Sequence, residues 1–114
     1  MNATVSGKLI KNVPVAVSCY PGKLQNAATC TLVNQQWTNS SFQSSNPVGF
    51  SYPINLACPP VVDGQTPGTC SLGDSPVYTI DATKPEEVAK GLAFAKKYNL
   101  RLVVRNTGHD ILGR

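Results

Sequence analysis

Residues 77–105 read as strand, helix, strand, and that order constrains the fold more than any other feature of the chain. Val77-Tyr-Thr-Ile80 is β-branched and aromatic, as strands are. Thr83-Lys-Pro-Glu86 carries a helix-start pattern, with Thr83 as N-cap, Pro85 in the first turn and Glu86 reaching back. The helix is expected to run to about Tyr98 and to stop at Asn99. Val88, Leu92 and Ala95 fall on one face with Gly91 and Tyr98 beside them. Glu86, Lys90 and Lys97 point the other way, and Glu86 can pair with Lys90 at i,i+4. Leu100-Arg-Leu-Val-Val-Arg105 reads as the second strand. Its continuous apolar centre suits a strand covered on both faces. Two strands joined through a helix are expected to be parallel, with a right-handed crossover.

The loop Asn106-Thr-Gly-His-Asp110 then leaves the C-terminal end of that strand, which in an open parallel sheet is the usual ligand crevice. Asn106, Thr107, Gly108 and Asp110 are small or turn-prone, and Gly108 permits positive φ. Such a loop can aim several backbone N–H groups at one anion, such as a phosphate or pyrophosphate. Gly113 allows a second close backbone approach. His109, the only histidine, is nucleophilic when neutral and can form covalent bonds. A metal role lacks a second histidine, and a Ser-His-Asp triad lacks the Gly-x-Ser-x-Gly elbow. On residue chemistry alone, His109 reads equally well as a plain loop histidine.

The first 75 residues have a different texture. They are rich in Ser, Asn, Gln, Thr and Pro, and only 14% of the whole chain is charged. Val13-Pro-Val-Ala-Val-Ser18 reads as a short edge strand because of Pro14. Residues 27–37 can hold a helical turn or so. Trp37, Phe42, Phe50 and Tyr52 read as small apolar anchors, and Pro59-Pro60 and Pro67-Gly68 mark turns. The four cysteines contain no Cys-x-x-Cys pair, which argues against a zinc or thioredoxin-type site. An even count in a polar, Pro-rich segment points to two disulfides in an oxidising compartment. Of the three pairings possible, Cys19–Cys30 and Cys58–Cys70 each close a short local loop. Four reduced thiols are the alternative. The sequons Asn2-Ala-Thr4 and Asn39-Ser-Ser41 fit the same secretory compartment.

Residues 1–7 lack the pattern of a signal peptide, so either a mature start or a start further upstream is expected. No stretch approaches the roughly 18 apolar residues of a membrane span. The net charge of +4 is spread along the chain without a basic stripe, which argues against a nucleic-acid partner.

The end segment is specific enough to name a resemblance. Val77-Tyr-Thr-Ile80, Pro85-Glu-Glu-Val88 and then Phe94-Ala-x-x-x-Asn-Leu-Arg-Leu-Val-Val-Arg-Asn-Thr-Gly-His-Asp-Ile-Leu-Gly-Arg114 resemble the start of a PCMH-type FAD-binding domain. The family is the vanillyl-alcohol-oxidase, or berberine-bridge-enzyme-like, group of FAD-linked oxidoreductases, and the look is that of its secreted fungal members. The resemblance implies an α+β fold, with a βαβ unit at 76–110 of an incomplete FAD domain (76–114) after an irregular Cys-rich arm (1–75). It implies that Asn106, Thr107, Gly108, His109, Asp110 and Gly113 wrap the FAD pyrophosphate, and that His109 bonds covalently to the flavin.

It further implies oxidation of a small molecule, an alcohol, sugar or secondary metabolite, with O2 as acceptor. In the family the catalytic base and the remaining FAD contacts lie further along the polypeptide. The chain is therefore expected to be the N-terminal piece of a secreted enzyme, inactive alone. A stand-alone secreted, disulfide-bonded binding module stays open as the alternative, as does a carbohydrate binder using Trp37, Phe42 and Tyr52.

Overall fold

A computed structural model describes residues 1–49 and 57–107. Their contacts divide them into two packed units, one built on Asn12–Val77 and the other on Met1–Lys11 with Tyr78–Asn106. The first eleven residues thus pack with the later segment, whereas the sequence reading placed them in the arm.

In the unit built on Asn12–Val77, caps and turns replace long elements, as the Asn, Ser and Pro content favours. The expected strand at 13–18 is absent. Val17 N–H donates to the Pro14 carbonyl at 3.1 Å, and a 3-10 turn follows at Val17–Cys19. Pro14 has no N–H for a ladder, which leaves a turn as the cheaper arrangement. Helix α1 spans Ala27–Gln36, longer than the single turn expected. Asn26 starts it by accepting from Thr29 N–H at 2.9 Å. Helix α2 spans Ser40–Ser45, and Asn39 caps it by accepting from Ser41 and Phe42 N–H.

The core of this unit is small: Ala16, Cys19, Tyr20, Val33 and Cys58 are buried, with Trp37, Phe42 and Val61 packed against them. Trp37 and Phe42 are therefore anchors as expected; Phe50 and Tyr52 lie outside the described residues. Two disulfides supplement the core. Cys19–Cys30 ties the 3-10 turn to α1, with Cα atoms 4.8 Å apart, and Cys58–Cys70 closes the loop between them. These are the two expected pairings.

The other unit contains the only sheet among the described residues. Strand β1 (Leu9–Lys11) pairs with β2 (Tyr78–Ile80) in antiparallel register, Leu9 opposite Ile80 and Lys11 opposite Tyr78. The expected parallel βαβ pair is not formed among these residues. β2 takes an N-terminal partner, and 101–105 join no ladder among the described residues. Strand propensity marks residues that suit a pleated surface, but pairing is decided by whichever strand lies beside them.

Helix α3 (Pro85–Lys97) begins one residue later than expected. Pro85 pushes the residue before it into extended backbone, so Lys84 (φ −135°, ψ 145°) becomes the N-cap. The residue that reaches back is then Glu87, not Glu86. Its carboxylate accepts from Thr83 N–H at 2.8 Å and Lys84 N–H at 3.2 Å. Lys8 closes the other side, 2.9 Å from Glu87 Oε1 and 3.0 Å from Oε2, and also donates to Thr83 Oγ1. Lys8 precedes β1, and its carbonyl accepts from Asp81 N–H just after β2. One buried carboxylate therefore pins both strands to the start of α3.

The buried stripe of α3 is Glu87, Gly91 and Ala95. Gly91 lets Ile80 approach: a Cβ there would stand 3.1 Å from the Ile80 Cδ1. Val88 and Leu92, expected to face inward, are 40% and 49% exposed. The expected Glu86–Lys90 pair does not form either; Lys90 Nζ donates to the Thr4 carbonyl at 3.1 Å. The helix ends as predicted at Asn99, in left-handed backbone at φ 51°. Leu100 N–H returns to the Ala95 carbonyl and Asn99 N–H to that of Lys96, the paired bonds of a Schellman cap.

Hydrogen bonding from Lys8, then from Thr83 N–H, holds the Glu87 carboxyl at about 2, below its ordinary 4.5. A depressed carboxylate pKa stabilises the fold above the unfolded value and loses that contribution as pH falls. The stability gap between wild type and Glu87→Gln should therefore be full above pH 4.5 and close towards pH 2. Thermal unfolding of both proteins across that window checks it. A gap independent of pH would remove the clamp.

Candidate functional site

The site expected from the sequence begins where α3 hands over to residues 100–105. The Schellman cap reverses the chain at Asn99, and residues 100–105 lead to a bend at Asn106 and Thr107. Both of these residues are exposed. The other four assigned to the cofactor, Gly108, His109, Asp110 and Gly113, lie outside the described residues.

The segment before the bend carries a charge pattern that scanning for long basic runs passed over. Lys96, Lys97, Arg101 and Arg105 fall within ten residues, all exposed, with no acidic residue among them. A cluster of one sign raises the local concentration of the opposite charge. The signal was present in the sequence as the spacing of cations around the turn at Asn99.

The same segment is strongly apolar. Leu102, Val103 and Val104 are 41%, 77% and 70% exposed. On α3, Val88 and Leu92 are exposed as well.

The remaining predicted residues fall elsewhere. All four cysteines are paired as described. Asn2 and Asn39 are exposed. The Asn2 side-chain carbonyl accepts from Leu9 N–H at 3.1 Å, while Asn39 caps α2 and donates from Nδ2 to Gln36 Oε1 at 2.8 Å. Among the described residues no three His, Cys, Asp or Glu side chains gather as a metal site, and no helix is long and apolar enough to cross a membrane.

No protein-family model matches the chain. Individual proteins do. The chain is 53% identical over 115 residues to the FAD-linked oxidoreductase hmp9 of Hypomyces subiculosus, covering 99% of itself and 18% of that protein. It is 46% identical over 112 residues to the FAD-linked oxidoreductase apf9 of Gibberella fujikuroi, covering 96% of itself and 18% of the relative. The crystal structure of the VAO-type flavoprotein MtVAO713 from Myceliophthora thermophila C1 matches with a TM-score of 0.92 at 46% identity, over 99% of this chain and 20% of that one. The chain is homologous to one segment of the FAD-linked, VAO-type oxidoreductases. It spans about a fifth of the length of these relatives.

Proposed function

We propose that this chain is the N-terminal part of a secreted FAD-dependent oxidoreductase and supplies the loop that holds the cofactor. Asn106, Thr107, Gly108, His109 and Asp110, continued by Gly113, would hold the FAD pyrophosphate through backbone N–H groups. His109 carries the covalent bond to the flavin. The observation that carries this reading is similarity along 99% of the chain to an FAD-linked oxidoreductase. The exposed bend at Asn106-Thr107 and the cations around Asn99 support it. When bound, the flavin would supply the redox chemistry for oxidising a small alcohol, sugar or secondary metabolite, with O2 as the proposed acceptor. The chain's own share is to bind, orient and retain.

Residues 1–114 alone are inactive under this proposal, because the catalytic base and the rest of the cofactor site belong to the longer enzyme. The exposed Leu102-Val-Val104 surface supports that reading, since an apolar segment of this kind is ordinarily covered. Two disulfides closing local loops support an oxidising, secretory destination, with glycans on Asn2 and Asn39. At each site the side-chain carbonyl makes the backbone contact, and a glycan replaces one of the two N–H bonds of Nδ2. No nucleic-acid or membrane partner is proposed.

The test is His109→Ala in the full-length protein. Wild type precipitated with acid should keep its yellow chromophore in the pellet. The variant should release all flavin to the supernatant while still binding it before precipitation. A colourless wild-type pellet, or equal colour in both pellets, would refute the covalent role.

A further inference from the structure

We infer that Asp63 is a site of spontaneous isoaspartate formation at the tip of the loop closed by Cys58–Cys70. The reaction needs an aspartate whose following amide nitrogen is unobstructed and unbonded. Asp63 is followed by Gly64, and both are exposed. Gly64 sits at φ 85°, and a Cβ there would meet nothing within 4 Å. The turn is held by a single bond from Gln65 N–H to the Val62 carbonyl at 3.1 Å, and Gly64 N–H makes none.

The other described aspartates differ in this respect. The amide after Asp74, Ser75 N–H, donates to Leu72 at 3.0 Å, and the amide after Asp81, Ala82 N–H, donates to Ile80 at 2.9 Å. Each also belongs to a residue with a side chain, which crowds the approach of the carboxyl group.

The chemistry balances without an oxidant. The Gly64 amide nitrogen attacks the Cγ of the protonated Asp63 carboxyl group, a C–N bond forms, the Cγ–OH bond breaks, and the hydroxyl leaves with the amide proton as water. Water then reopens the five-membered imide. Opening at the main-chain carbonyl leaves the backbone running through Cβ and Cγ, one methylene longer. Ring closure requires the Asp63–Gly64 peptide to turn towards the carboxyl, opposed only by the exposed Val62–Gln65 bond.

The base of the loop does not need to move. The disulfide, Ser71 N–H to the Ala57 carbonyl (3.1 Å), Tyr20 OH to the Pro59 carbonyl (2.7 Å) and Asn34 Nδ2 to the Val61 carbonyl (2.9 Å) clamp it. The longer backbone is absorbed at the tip, and the fold stays intact.

The experiment ages the full-length protein at neutral pH and locates isoaspartate by enzymatic methylation and fragment mass spectrometry. The expected result is time-dependent accumulation at residue 63, several-fold above Asp74 and Asp81, with no change in melting temperature. Asp63→Glu, which keeps the charge but lengthens the side chain, should abolish the signal at that position. No accumulation at residue 63, or equal rates at the three aspartates, would overturn the inference.

Discussion

Replacing Cys58 and Cys70 together by serine is expected to lower the stability of their unit by about 3 kcal/mol. The pair is separated by 12 residues, and freeing a loop of that length returns about that much conformational entropy, as free energy, to the unfolded chain. The segment it closes has no helix or strand among its described residues, so little local structure resists its opening. Cys58 is also a member of the buried cluster that contains Ala16, Tyr20 and Val33. Opening the loop weakens the Tyr20–Pro59 and Asn34–Val61 bonds at the same time. Urea unfolding followed by the fluorescence of Trp37, the chain's only tryptophan, reads the loss. A variant with an unchanged midpoint would mean that the small core suffices without its covalent tie.

Gly49→Ala should cost a comparable amount, about 3 kcal/mol, at the upper end of ordinary overpacking. A Cβ at residue 49 would overlap the Gln43 carbonyl oxygen and stand 2.8 Å from the Asn46 Cβ and 3.0 Å from the Gln43 carbonyl carbon. These are backbone and near-backbone atoms, so no rotamer change relieves the clash. The Gln43 carbonyl is also the acceptor for Asn46 N–H at the end of α2. Gln43 itself is buried and bonded through Nε2 to the Trp37 carbonyl at 2.7 Å. Making room therefore unwinds the end of α2 or disturbs the Trp37 contact. The same urea titration should show a lower midpoint for Gly49→Ala; a coincident curve would show that the turn after α2 gives way freely.

What could be read from the sequence was local. The disulfide pairing follows from spacing because both bridges close short loops within one stretch of chain. The stop of α3 follows from Asn99, a residue that tolerates left-handed backbone. Features set by distant partners were harder to see. β1 is three residues long and carries little strand signal, yet it takes β2 as its partner across most of the chain. The capping pattern from Thr83 pointed to Glu86, one residue early, because Pro85 makes Lys84 the N-cap. Lys8, 79 positions away, then closes the other side of the Glu87 carboxylate. The buried stripe of α3 runs through Glu87, Gly91 and Ala95 and leaves Val88 and Leu92 exposed.

The assignment of the cofactor site converges on one peptide. Trypsin cleaves after Arg105 and releases residues 106–114, which contain His109 and the whole proposed pyrophosphate loop. Mass spectrometry of this peptide from the full-length native protein is the decisive measurement. The expected result is a peptide heavier by one flavin, with fragmentation placing the added mass on His109. An unmodified peptide from protein that still carries its flavin would contradict the assignment.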